Sequence, residues 1–307
     1  MNTSVRAVTR RRHPMRMGAS DRAFTICNTA LMAAVTLLIL YPLYYIVVAS
    51  ISDPSSVAGG DLLLFPPKWF FEGYATAFGY APLLSGYRNS LVYTALGTAI
   101  NLILTMPGAY ALSRRDMGGR GAVMFVFTFT MFFSGGMIPL YLLLRGLRLT
   151  NTIWVMVLPG GVSVYNLIVV RTFFMSAISQ ELLDAARIDG SSDFGFFFKI
   201  ALPLAKTIIA VMVVFYAVGH WNSYFNAIMY LNDRSKMPLQ AVLRDLLILN
   251  TITTDMRVNP AEAAEKMKRA DQLKYCVIIL ASLPVMVLYP FAQKFFTQGV
   301  MIGSLKG

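Results

Sequence analysis

The chain has 307 residues, of which 56% are hydrophobic and only 14% charged, and its mean hydropathy is +0.59. Soluble domains carry nearer ~25% charged residues, so this is the composition of an integral membrane protein. The formal net charge of +12 does not point to nucleic acid, because the basic residues collect at the ends of apolar runs and do not line one polar groove.

Residues 1–22 form a basic tail, with Arg6, Arg10, Arg11, Arg12, Arg16 and Arg22 against Asp21 alone. Six apolar runs follow, at 23–50, 90–112, 121–144, 152–174, 200–220 and 275–296. Each is long enough to cross about 30 Å of hydrocarbon as a helix. The runs lack the alternation of a membrane barrel, so the expected fold is all-α with six transmembrane helices. The first run far exceeds the ~7–15 apolar residues of a cleaved signal, which makes it an uncleaved anchor. Residues 51–89 read as an external loop, and 90–298 as a core holding a polar loop at 178–203 and an external loop at 221–274. Residues 299–307 form a short tail. Pro42, Pro107, Pro139, Pro159-Gly160-Gly161, Pro284 and Pro290 are places where membrane helices kink or open.

Arginine placement sets the orientation. The tail arginines and Arg114, Arg115 and Arg120, between the second and third runs, fall on one side if six helices alternate. The positive-inside rule makes that side cytoplasmic and puts both termini there. Arg145 and Arg148 fall in an external turn and run against the rule, but are outnumbered. The external loop at 221–274 carries Asp233, Arg234, Lys236, Arg244 and a charge run from Glu262 to Asp271. It is long enough to fold and suits contact with an external protein, or serves as a solvated lid.

Cys27 and Cys276 belong near opposite ends of their helices, roughly 25–30 Å apart at a rise of ~1.5 Å per residue, too far for a disulfide. His13 and His220 are too few and too distant for a metal set. The interior of each run is free of Asp and Glu, whereas ion-coupled carriers generally use intramembrane ionisable groups. Arg171 and Lys206 lie near cytoplasmic ends, where their long side chains can snorkel to the interface. The phosphate-binding pattern G-x-x-x-x-G-K-[ST] is absent from the sequence, so ATP-driven transport would need a separate ATPase.

The loop from Glu181 to Pro203 reads as helix, glycine turn and second helix. Ser179 suits an N-cap, and Glu181 in the first turn suits the positive end of the helix dipole. Leu182, Leu183, Ala185, Ala186 and Ile188 form an apolar face with a small-residue patch. Gly190 suits a positive-φ helix stop. Ser191 or Ser192 can cap the next helix, with Phe194, Phe196, Phe197 and Phe198, and Pro203 opens the fifth run. Asp184 and Arg187 are spaced for a weak surface pair. From the residues alone, a docking element and an amphipathic helix lying on the membrane stand about equal.

The order of motifs along nearly the whole chain after about residue 25 resembles the carbohydrate-uptake class of ABC transporter permeases, the group of the maltose transporter's smaller membrane subunit. The loop carries Asp184-Ala185-Ala186, Gly190 and Ile200-x-Leu202-Pro203. Arg88-Asn89-Ser90-Leu91 opens the second run, and Ala109-Tyr110-Ala111-Leu112-Ser113-Arg114 closes it. Ile138-Pro139, Asn151-Thr152 and Leu158-Pro159 fit the third and fourth runs. Trp221-Asn222-Ser223-Tyr224-Phe225-Asn226 follows the fifth, and the chain closes on Gly303-Ser304-Leu305-Lys306-Gly307. The family usually has Glu at Asp184, Pro at Ser179 and Ala at Ser191.

The resemblance implies a type I importer permease fold with a cytoplasmic coupling helix, in a complex at the cell membrane. The partners it implies are a second homologous permease, an ABC ATPase dimer and an external solute-binding protein that delivers a sugar. ATP and magnesium would sit on the ATPase, leaving this chain non-catalytic and without a cofactor. It assigns Glu181, Asp184, Ala185, Ala186, Asp189, Gly190, Ile200, Leu202 and Pro203 to ATPase docking, and Lys306 and Gly307 to a tail reaching toward the ATPase. Asn89, Asn101, Tyr165, Asn166, Trp221, Asn222, Tyr224 and Asn226 have the chemistry for a sugar path. Aromatic residues also belt membrane interfaces, and Asn also glues helices together. The alternatives are a permease of the same fold for a non-sugar solute and an ion-coupled carrier without an ATPase.

Overall fold

The computed structural model describes residues 18–60, 65–252, 272–290 and 293. The tail arginines through Arg16, the charge run from Glu262 to Asp271, and Lys306 and Gly307 lie outside the described residues. Those described form helices and one isolated antiparallel bridge between Ser52 and Trp69.

The long first helix, α1 (Ala19–Ser50), is followed by the short α2 (Pro54–Gly59) and α3 (Glu72–Gly79). The stretch expected to be an external loop is therefore partly helical. The next helix, α4 (Ala81–Ser113), also starts inside it. Proline near the first turn suits a helix start, and Leu83 and Gly86 already face the core there.

The third and fourth predicted runs are broken. A bend of 113° at residues 133–136 separates α5 (Arg120–Phe132) from α6 (Met137–Gly146). The turn uses Gly136 at φ 83°, and Ser134 Oγ accepts the Gly136 amide at 3.1 Å. The fourth run divides at Pro159-Gly160-Gly161 into α7 (Trp154–Val157) and α8 (Val164–Ala177), with Gly160 at φ 74°. At 14 residues, α8 is only about 21 Å long, short of the hydrocarbon thickness.

The polar loop holds α9 (Gln180–Ile188) and α10 (Asp193–Phe196). A π-helical turn, Phe197–Ala201, leads into the short α11 (Leu202–Leu204). Proline has no amide to donate and crowds the preceding turn, and the widened turn just before Pro203 takes up that misfit. The chain then bends by 78° at Ala205 into α12 (Lys206–Trp221), so the fifth run does not continue straight from Ile200. Beyond it lie α13 (Tyr224–Tyr230), a 3₁₀ turn at Arg234–Lys236, α14 (Leu239–Ile252) and α15 (Gln272–Pro290). The stretch expected to be the second external loop is thus largely helical over its described part.

Among the described residues, α1, α4 and α15 are long and apolar enough to cross a membrane. Counting each bent pair as one span raises the number to five. At the centre, α4 packs along α8, α12 and α14. Around one end of it Tyr110, Phe174, Leu183, Ala186, Phe196 and Phe197 form a core. Around the other, Tyr93, Leu144, Met156 and Tyr230 form a second core, and Leu83, Trp221, Leu239 and Val277 a third. Among the described residues, helix α1 joins the rest through its C-terminal end, where Val48, Ala49 and Ser50 are buried and Tyr45 packs against Tyr275 at a centroid distance of 6.0 Å. There Tyr74 donates to Ser50 Oγ at 2.8 Å and Cys276 lies 3.2 Å from the Ser50 carbonyl. Both cysteines are free. The rest of α1 shows apolar side chains such as Phe24, Leu37 and Leu38 on its surface, as a helix immersed in lipid or against another apolar surface does.

Close approach of α4 and α12 depends on Gly97. A Cβ built there would stand 2.4 Å from the His220 ring. Gly97→Ala is therefore expected to lower thermal stability in detergent by about 1–3 kcal/mol, the usual range for overpacking. Gly97→Ala with His220→Ala should recover part of that loss. Thermal melts of the two proteins check this, and equal stability of Gly97→Ala and the parent would contradict it.

Candidate functional site

The loop at 178–203 forms as its residues dictate. Ser179 Oγ accepts the Leu182 amide at 3.3 Å and caps α9. At the far end Gly190 takes φ 78°. Its amide donates to the Arg187 carbonyl at 3.0 Å, and the Ser191 amide donates to the Ala186 carbonyl at 2.9 Å. These paired bonds close the helix in the way that favours glycine at this position. Ser192, not Ser191, caps α10, accepting the Gly195 amide at 3.1 Å.

Two faces result. Leu183 and Ala186 point into the chain's own core, against the cluster of Tyr110 and Phe174. Ile200 and Leu202 are partly buried against the same cluster. These residues hold the loop in place and leave little surface for anything else. Glu181, Asp184, Ala185, Asp189, Gly190 and Pro203 are exposed. So are four large apolar side chains, with Ile188 86% exposed, Phe194 80%, Phe198 60% and Leu182 37%. Ile188 and Phe194 belong to no buried cluster among the described residues.

The expected Asp184–Arg187 pair does not form. Asp184 instead accepts from Gln180 Nε2 at 3.0 Å, while Arg187 Nη2 meets Asp116 at 2.7 Å, in the turn after α4. Arg114 Nη2 contacts the same Asp116 carboxylate at 2.5 Å, and Arg114 Nη1 reaches Asp193 at 2.7 Å. Arg114 foremost, then Arg187, holds the Asp116 carboxyl well below the usual carboxylate range. A carboxylate with a lowered pKa contributes stability at neutral pH and loses it only as pH falls through that lowered value. These contacts therefore persist in mildly acidic medium. The end of α4 is held further by two arginines. Arg171 donates to the Leu112 carbonyl at 2.9 Å and Arg120 to the Arg114 carbonyl at 3.1 Å. Arg171 thus caps a neighbouring helix, a role beyond the snorkelling expected of it.

The eight candidates for a sugar path separate into groups. Asn101 is only 1% exposed and its amide is fully engaged. Its Nδ2 donates to the carbonyls of Gly160 at 3.0 Å and Gly161 at 2.8 Å. Its Oδ1 lies 2.7 Å from His220 Nε2. An amide oxygen only accepts, so the imidazole carries its hydrogen on Nε2. Asn89 donates to the Ser235 and Met237 carbonyls at 2.7 and 3.0 Å, fastening the α13–α14 connection to α4. Trp221 donates to the Ala281 carbonyl at 3.1 Å, and Asn222 to Val218 of its own helix at 2.9 Å. Asn166 is buried in the first turn of α8. Tyr165 and Tyr224 are exposed, and Asn226 is half-buried.

Sequence reasoning missed Asp116, Asp193 and His220. The charged pair gave no local signal, since Asp116 and Arg187 are far apart in the chain. His220 and Asn101 did give one, because polar groups within apolar runs tend to pair across helices.

A family described as the inner membrane component of binding-protein-dependent transport systems matches residues 75–302. "Protein LplC" of Bacillus subtilis (strain 168) is 37% identical over 295 residues, which are 96% of this chain and 99% of that protein. The polygalacturonan/rhamnogalacturonan transport system permease protein YtcP of the same organism is 36% identical over 288 residues, 94% of this chain and 99% of YtcP. Among solved structures, a chain of a bacterial ABC transporter involved in the import of the acidic polysaccharide alginate superimposes with a TM-score of 0.83. It is 33% identical, and the match covers 92% of this chain and 99% of that one.

Asn101→Ala would remove three part-buried hydrogen bonds, to the Gly160 and Gly161 carbonyls and to His220, at about 0.5–1.5 kcal/mol each. Asn222→Ala, which removes an exposed bond within one helix, should cost a few tenths at most. Comparing thermal midpoints of the two variants in detergent decides the point, and similar losses would contradict the assignment of Asn101 to the helix break. At Gly190, Asn should be tolerated better than Val, because the left-handed region costs an ordinary L-residue roughly 1–2 kcal/mol.

Proposed function

Since the chain belongs to the family of inner membrane components of binding-protein-dependent transport systems, we propose that it is one of two permease subunits of an ATP-driven sugar importer. As a member of that family it is a multi-pass protein of the cell membrane and a transport component, not an enzyme. On this reading the 178–203 loop docks an ABC ATPase subunit, and ATP and magnesium sit on that partner. A second homologous permease completes the path, and an external solute-binding protein delivers the sugar.

One observation carries the docking assignment. The exposed face of α9 and α10 joins Ile188, Phe194 and Leu182 to Glu181 and Asp184. Apolar anchors rimmed by charge are what a partner protein's groove takes up. The opposite face of the same loop is fixed to the core through Leu183 and Ala186. A push on the exposed face is therefore delivered to the helices behind it.

The loop end faces the cytoplasm on this reading, which agrees with Arg114, Arg115 and Arg120 beside it. Six crossings with both termini inside follow if the broken α7–α8 segment counts as one passage. The external side then carries α13, α14 and the exposed Arg88, Arg145, Arg148 and Arg234. Cationic side chains at the outer mouth suit an acidic oligosaccharide, the cargo class that the names of YtcP and the alginate importer indicate for those proteins. Tyr165, Tyr224 and Asn226 are the candidates left free to meet it.

Purification of the tagged chain from its host in mild detergent tests the assembly. A second permease and a phosphate-loop ATPase should come with it. Proteoliposomes of that complex should take up uronate-containing oligosaccharide only with ATP and the binding protein. A folded chain that comes out alone, or uptake driven by an ion gradient without ATP, would contradict the reading.

A further inference from the structure

The charged contacts beside the loop close into a ring. Arg114 meets Asp116 at 2.5 Å and Asp193 at 2.7 Å. Arg187 meets the same two carboxylates at 2.7 and 3.7 Å. Charges alternate around the ring, and its members come from the end of α4, the turn after it, α9 and the first turn of α10. Exposed ion pairs taken singly stabilise little. Arg114 is different, since its side chain is only 11% exposed. It binds Asp116 through two nitrogens, at 2.9 and 2.5 Å, and also donates to Tyr110 Oη at 3.2 Å. A planar guanidinium held on several sides has little freedom to re-form elsewhere.

The surroundings give the ring its importance. A cleft of about 290 Å³ opens between the end of α4 and the start of α9, lined by Ser113, Ser179 and Glu181. A second cleft, of about 410 Å³, opens on the other side, lined by Pro107, Met117 and Phe194. Tyr110 and Arg114 line both. The polar connection from the loop to α4 is therefore a ridge between two open spaces. Tyr110 continues it inward, packing its ring against Phe174, Phe196 and Phe197 at centroid distances of 5.6, 6.3 and 5.1 Å.

We propose that the Arg114–Asp116–Arg187–Asp193 ring is the strut that makes the 178–203 loop and α4 move as one body, so that its members are positioning residues for ATP-driven transport. The inference rests on the docking reading above. Arg114 is the inward member of the ring, while Asp116, Arg187 and Asp193 are exposed. None of the four is among the Leu182, Ile188, Phe194, Glu181 and Asp184 side chains of the docking face, which stay in place when the ring is broken. Breaking it should leave the ATPase bound and hydrolysing while less of its stroke reaches α4.

The test uses the whole complex in proteoliposomes, with uptake and ATP hydrolysis measured together. Asp116→Asn and Arg187→Ala are expected to keep stoichiometric ATPase and raise the ATP hydrolysed per sugar by roughly two- to tenfold. The double variant should cost less than the two single ones added together, because both remove the Arg187–Asp116 contact while each also loosens a second one, Arg114–Asp116 or Arg187–Asp193. Asp116→Glu, which restores the charge, should return the ratio toward that of the parent. An unchanged ratio in a fully assembled complex would overturn the strut, as would loss of the ATPase from the variants, which would make the ring an assembly element. A parent chain that never holds an ATPase would instead overturn the docking reading itself.

Discussion

Hydrocarbon offers no hydrogen bonds, so every break in a membrane helix must bring its own partners for the backbone groups it releases. That constraint shapes the middle of this protein. The fourth run opens at Pro159-Gly160-Gly161, and the freed carbonyls of Gly160 and Gly161 are taken by Asn101 from the neighbouring helix. His220 holds the same amide from α12, and Gly97 leaves the space in which the imidazole sits. One side chain thereby ties the broken segment, α4 and α12 together.

The same helix that carries Asn101 also carries the loop. From Asn101, α4 runs to Tyr110 and Arg114, where the aromatic cluster and the ion ring meet α9 and α10. Its other end is fastened by Asn89, Ser90 and Tyr93 to the connection before α14 and to α14 itself. A displacement applied at the loop therefore reaches the opposite end through one continuous element. This arrangement is what a permease needs if ATP binding on one side is to change access on the other.

Much of this was legible in the residues. Ser179, Gly190 and Ser192 cap and stop their helices through backbone rules that act locally, so the loop's form could be read directly. The proposal that it docks an ATPase rests on a resemblance. The breaks were legible in part, since Pro159-Gly160-Gly161 announced an opening, whereas the sharp turn at residues 133–136 and the bend at Ala205 lay within runs that composition alone makes continuous. The ion ring was hidden because its members are separated in the chain and meet only when α4 packs beside the loop. The hydrogen-bond partners of several sugar-path candidates were hidden for a similar reason. Asn89, Asn101 and Trp221 have sugar-binding chemistry, yet tertiary packing spends their donors on backbone carbonyls.

The division of the loop into an inward and an outward face is the centre of the account, and cysteine cross-linking measures it directly. Cys27 is exposed and Cys276 buried, so Cys27→Ser gives a background with no exposed thiol among the described residues. Single cysteines at Ile188, Phe194 and Ala186 would then be treated, in the assembled complex, with a short thiol-to-amine cross-linker. The account predicts ATPase adducts from Ile188→Cys and Phe194→Cys and none from Ala186→Cys. Adducts from Ala186→Cys alone, or none from Ile188→Cys in a complex that transports, would contradict it.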